Sequence, residues 1–183
     1  MATKKFIKLN RMIMIGSAAR NCGKTTFACA IIKKFSKITP VIAIKVSTKK
    51  ASDSKQKEKE HFNPVKGFEI IEEHNPKGYK DTSRMLSAGA SKVFRIEVNE
   101  NNLQQAAKAL LKKIGRSAVC VCESSSLRKV IKPGLFLMLQ REKTRYYKPS
   151  AKAVKKYADK IIPFDGKNFN FPLSCINLTA RKW

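Results

Sequence analysis

Apolar side chains fall along this chain in short bursts of two kinds. Residues 11–15, 41–46, 118–122 and 135–139 are near-continuous runs of Ile, Val, Met, Leu and other apolar side chains. Such runs predict strands buried on both faces. Residues 92–98, with Val93, Phe94, Ile96 and Val98, and residues 161–164 add two more. A further strand is expected at 175–178. Between these runs the period lengthens to that of a helix. Phe27, Ala28, Ile31, Ile32 and Phe35 share one face over 25–35, and Pro40 blocks continuation. Residues 103–114 form a second amphipathic helix closed by Gly115. Asp81 or Thr82 caps a short helix through Ser87, with Gly89 as its stop. Ala151, Val154 and Ala158 mark one side of a helix over 150–158.

Alternating strands and helices predict an α/β fold, a mostly parallel sheet with helices on both faces. The length, 183 residues, suits a single domain over 1–183. Two stretches break the rhythm. Residues 47–80 read as a polar, turn-rich insertion, a loop over 47–59 followed by turns around a core-facing stretch at 68–71. Residues 165–183 read as an irregular tail. No run approaches the ~18 apolar residues of a membrane span, and the basic start of the chain lacks a signal-peptide core. Cys22, Cys29, Cys120, Cys122 and Cys175 form no CxxC pair. They are expected to be structural thiols in a reducing compartment, and the chain is expected to be cytoplasmic.

Charge widens the field of partners. With 39 Lys and Arg against 13 Asp and Glu, the formal net charge is +26. The excess is spread along the chain, which favours anions such as nucleotides, nucleic acid or an acidic protein. Nucleic acid is the less favoured of these, because aromatic residues are not interleaved with the basic runs and no helix-turn-helix or zinc-finger pattern occurs.

The strand ending near Gly16 and the helix beginning near Thr25 enclose Ala18-Ala19-Arg20-Asn21-Cys22-Gly23-Lys24-Thr25. This is the pattern of a Walker A phosphate loop with Ala in place of the first Gly. Its chemistry needs backbone N–H groups from Asn21 to Thr26 around the phosphates, close approach at Gly23, the Lys24 ammonium on the terminal phosphates and the Thr25 hydroxyl on Mg²⁺. Thr26 adds a hydroxyl nearby. Glu123 ends a buried strand where a Walker B carboxylate would sit, and Asp81 and Asp53 are the other acidic options. Lys45 either points toward the nucleotide or snorkels at a sheet edge. Arg20 faces phosphate or, slightly favoured, solvent. His61 and His74 have no partners at metal-ligand spacing.

The phosphate-loop pattern, the strand Ala43-Ile44-Lys45-Val46 and the segment from Gly78 to Ala90 occur in an order that resembles the MobB family. Its members are P-loop GTP-binding adapters of molybdopterin-guanine dinucleotide biosynthesis, within a wider group holding metallochaperone GTPases and dethiobiotin synthetases. The resemblance spans roughly residues 11 to 140. It departs at Ser47-Thr48, which replaces a His-Asp pair, and at Cys122-Glu123-Ser124, which keeps the Glu of V-E-G and loses the Gly. The resemblance implies phosphate and Mg²⁺ roles for Gly23, Lys24 and Thr25, a Mg²⁺ or switch role for Asp81 and a Walker-B-like role for Glu123. It also implies a protein partner or homodimer. The base stays open between GTP, toward which the resemblance leans, and ATP, since no N-K-x-D motif is present. Three functions are in view: a slow or partner-stimulated nucleoside triphosphatase acting as an adapter in cofactor biosynthesis, an ATP-dependent small-molecule kinase or ligase, and a basic nucleic-acid-binding protein.

Overall fold

The computed structural model describes residues 6–49, 67–143, 146–180 and 182–183. Asp53, His61 and the rest of 50–66 lie outside the described residues. Among the described residues, seven strands and four α-helices follow one another as β1 (Ile7–Ser17), α1 (Lys24–Phe35), β2 (Val41–Lys49), β3 (Phe68–Glu72), α2 (Asp81–Ser87), β4 (Lys92–Asn99), α3 (Leu103–Ile114), β5 (Val119–Glu123), β6 (Ile131–Arg141), α4 (Pro149–Lys152) and β7 (Lys160–Phe164). The strands form one sheet in the order β3-β4-β2-β5-β1-β6-β7. All pairs are parallel except β3 with β4.

Successive side chains of a strand point to opposite faces, and two cores follow from that alternation. Met12, Met14, Cys120, Cys122, Phe136 and Met138 face one side, where α3 adds Leu103, Ala106, Ala107 and Leu110. Ile13, Ile15, Val119, Val121, Leu137 and Leu139 face the other, where α1 adds Phe27, Ala28, Ile31, Ile32 and Phe35 and α2 adds Met85. Leu103 and Leu110 of α3 are buried, which is worth about 1.5–3 kcal/mol each. The α/β architecture with helices on both faces is therefore as the periodicity predicts.

The differences lie at the polar margins. Ser47, Thr48 and Lys49 continue β2 instead of entering a loop, because β4 supplies pairing partners as far as Asn99. The stretch expected to face the core at 68–71 is a seventh strand, antiparallel at the sheet edge. The helix expected at 150–158 stops at Lys152 and resumes only as a 3-10 turn at Lys155–Tyr157. Beyond that turn Asp159 is tied to β6: its N–H donates to the Phe136 carbonyl at 2.9 Å, and its carboxylate accepts the Phe136 N–H at 2.6 Å. That double tie turns the chain back onto β6. No strand forms at 175–178. There the Lys34 ammonium donates to the carbonyls of Leu173 (2.7 Å) and Ile176 (3.0 Å), so the tail lies along α1. Trp183 closes this cover, edge-on to Phe35 with centroids 4.6 Å apart and donating to the Arg11 carbonyl at 2.8 Å.

Burial makes the cysteines unequal. It pushes the Cys120 thiol up to about 12 and Cys122 well above its ordinary value. Because the thiolate is the reactive form, both are expected to resist Ellman's reagent at pH 8 until denaturant is added. Exposed Cys175 should react at once. Rapid modification of Cys120 in the folded protein, read by peptide mass mapping, would contradict this core.

Candidate functional site

In the sheet, β5 lies between β1 and β2, so the carboxyl ends of three central strands meet. β1 ends at Ser17, and residues 18–23 carry the chain over that edge into α1. The loop is pinned by its neighbours. The Ala18 N–H donates to the Leu139 carbonyl at 2.8 Å, and the Lys148 N–H donates to the Ala18 carbonyl at 2.9 Å. Ala18 is buried, and Asn21 (φ 55°) is the one non-glycine of positive φ among the described residues. The backbone at 18 thus asks for no glycine, which explains why Ala is tolerated there. Gly23 does need its freedom. Its φ is 70°, and a Cβ there would stand 2.7 Å from the Phe169 ring.

Lys24 opens α1 immediately after Gly23. No side chain caps this helix, and its first turn carries no acidic residue. The free N–H groups and the positive end of the helix dipole are left for an outside anion. Beneath them Glu123, the last residue of β5, is 3% exposed. The Thr25 hydroxyl donates to Glu123 Oε2 at 2.8 Å, and the Lys45 ammonium donates to Glu123 Oε1 at 2.8 Å. Lys24 Nζ donates to Ser17 Oγ at 3.0 Å and stands 4.0 Å from Glu123 Oε1. Asp81, at the start of α2, accepts a second, short hydrogen bond from Lys45, with Arg84 Nη1 3.7 Å from Asp81 Oδ1. Arg84 also donates to Thr26 Oγ1 at 3.2 Å.

These groups share one cavity of about 340 Å³, lined by Arg20, Asn21, Cys22, Gly23, Lys24, Thr25, Thr26, Lys45, Asp81, Arg84 and Glu123. Lys24 and Thr25 are thereby brought together with Asp81 and Glu123, far from them in sequence. Lys45 faces this cavity and not a sheet edge. Arg20 is both exposed and at the cavity wall.

The electrostatics leave a shortage of negative charge. Burial, the largest influence, lowers Lys24 from the usual lysine value; Glu123 opposes the shift and Lys45 adds to it. Burial acts the same way on Lys45, but Glu123 and Asp81 outweigh it and hold its pKa above the ordinary value. Partial burial works to raise Asp81, yet its bond to Lys45, with Arg84 beyond, keeps the carboxyl below the usual range.

Four contributors were not legible as site residues. Ser17 anchors Lys24, and Ser125 Oγ accepts the Ser17 N–H at 3.1 Å. Arg84 lies one helical turn from Asp81, a spacing that signals an i,i+3 pair. Lys148 reads in sequence only as a helix start, but its backbone bond to Ala18 brings it to the loop. Burial first, and then the Lys24 charge, lower its pKa.

Among the described residues no three His, Cys, Asp or Glu side chains converge on a metal position. The oxygens of Thr25, Asp81 and Glu123 do suit Mg²⁺, which takes one or two carboxylates and completes its shell with phosphate and water. No family model, curated protein or solved structure matches the chain.

Proposed function

We propose that this chain is a P-loop protein that binds a nucleoside triphosphate with Mg²⁺ and hydrolyses it slowly or on stimulation by a partner. The observation that carries the reading is the 2.8 Å contact of Thr25 Oγ1 with Glu123 Oε2. It joins the first turn of an uncapped helix to a buried carboxylate at the end of the neighbouring strand. In this reading the loop N–H groups and Lys24 hold the phosphates. Thr25, Asp81 and Glu123 serve the metal shell, and Glu123 or Asp81 orients the attacking water. Phosphoryl transfer then rests on positioning and charge stabilisation. The adapter role in cofactor biosynthesis, with a second enzyme or a second copy as partner, rests on the resemblance to the MobB family, as does the preference for GTP.

A second reading, an ATP-dependent small-molecule kinase or ligase, draws on another cavity of about 360 Å³. It is lined by Glu69, Ile71, Glu72, Glu73, Lys80 and Arg95, and Lys80 adjoins Asp81 in the chain. Its size would admit a small molecule, but three Glu against Lys80 and Arg95 suit it poorly to the small anion that this reading takes as acceptor.

The test is equilibrium binding of fluorescent GTP and ATP analogues with Mg²⁺ to wild type and Lys24→Ala. Wild type should saturate. Removing a hydrogen-bonding charge worth about 1.5–3 kcal/mol should weaken binding about 10- to 150-fold. A preference for GTP favours the adapter, and a preference for ATP the kinase. Equal binding by wild type and Lys24→Ala would sink the phosphate-loop reading.

A further inference from the structure

Lys45 holds an unusual post for a strand residue. Its ammonium bridges Glu123 Oε1, at 2.8 Å, and Asp81, the two carboxylates assigned above to the metal shell. It also lines the cavity in which phosphate would sit. Mg²⁺ needs its oxygen ligands at about 2.0–2.1 Å. The ammonium occupies one oxygen of each carboxylate, Glu123 Oε1 and Asp81 Oδ2, and a divalent ion on those oxygens would have to displace it.

We propose that Lys45 is a resident cation that keeps the carboxylate pair closed to divalent metal until a polyanion arrives. This inference rests on the nucleotide reading and adds an order of events to it. Charge gives the reason. Arg20, Lys24, Lys45 and Arg84 line the cavity against Asp81 and Glu123, leaving two positive charges over. A bare divalent ion would meet an already positive site, and unit charges a few ångströms apart in a partly buried site interact strongly. A bound triphosphate reverses that sign. It supplies oxygens for the metal and a new anionic partner for the displaced ammonium in the same cavity. Metal therefore enters with the nucleotide and not before it.

The test is Mn²⁺ binding, followed by electron paramagnetic resonance on the full chain, with Mn²⁺ standing in for Mg²⁺. Without nucleotide, wild type should take up no stoichiometric ion at micromolar concentrations. Lys45→Met should bind one ion at least about tenfold more tightly, as expected from removing one like charge, and Lys45→Met/Glu123→Gln should lose it again. Wild type should gain the ion when GTP or ATP is added. Tight binding of one Mn²⁺ by nucleotide-free wild type overturns the proposal, and that arm holds even where circular dichroism shows Lys45→Met unfolded. A folded Lys45→Met with unchanged Mn²⁺ affinity overturns it too, leaving the nucleotide reading intact if Lys24-dependent binding is seen. Conversely, a gain in Lys45→Met with no nucleotide bound by any form overturns the proposed order of events together with the triphosphate reading, and leaves Lys45 only as a block to metal.

Discussion

Glu123→Ala should destabilise the fold by about 3 kcal/mol, the lower end of the range for breaking a buried ion pair from one side. In a domain of this size that is a fall in melting temperature of about 6–12 °C. The estimate sits at the lower end because the ammonium groups left behind are not sealed. The side chains of Lys24 and Lys45 remain 19% and 20% exposed, against 3% for Glu123, so water can reach them. Glu123→Gln keeps the shape and an acceptor for the Thr25 hydroxyl and should fall between Ala and wild type. Chemical denaturation of the three proteins checks the order. An alanine variant as stable as wild type would mean that Glu123 does not organise this cluster.

The pH dependence of stability carries the same signature. Lys45 has a folded pKa above its unfolded value, so its contribution is complete below about pH 10.4 and is lost as pH rises through the raised folded value. Asp81 is depressed. Its contribution is complete above about pH 3.9 and fades as pH falls through the lower folded value. Glu123→Ala removes the principal charge that raises Lys45, so the alkaline loss should be smaller and should end at lower pH than in wild type.

How far the site could be read from residues alone follows from what each position depends on. Lys24 and Thr25 were legible because their partners are local: a buried strand, a glycine and the first turn of an amphipathic helix. Glu123 was legible because the apolar run Val119-Cys120-Val121-Cys122 stops at it. The bridge made by Lys45 was not, since it requires the register that sets Lys45 beside Glu123 across β2 and β5. The same holds for Ser17 and Lys148, whose roles arise from contacts with the neighbouring loop. In the fold, α3 needed only its own apolar stripe and Gly115. The end of β2 needed β4, and the return of the chain onto β6 needed the tie of Asp159 to Phe136. Local pattern identified what local energetics decide, and pairing across the sheet decided the rest.

Gly23→Val should both weaken the fold and remove anion binding, for two separable reasons. A β-branched residue at φ 70° is strained whatever surrounds it, at about 1–3 kcal/mol. The new Cβ would also stand 2.7 Å from Phe169 Cζ. A ring edge on a free side chain would swing away, but Phe169 is held. It stacks on Phe164 with centroids 4.7 Å apart and packs on Phe27 at 4.8 Å. Relief must come from the backbone of residues 18–23, and a shift there disturbs the turn that leads into the uncapped start of α1. Fluorescent nucleotide binding should become undetectable in Gly23→Val, with a melting temperature several degrees lower, about 2–4 °C for each kcal/mol. Gly23→Ala/Phe169→Leu separates the causes. It removes the Phe169 contact, with Phe164 Cζ still 3.2 Å from the new Cβ, and leaves the backbone strain, so it should recover part of the binding lost in Gly23→Val. Full binding by Gly23→Val would show that neither the left-handed turn nor the aromatic brace shapes the anion site.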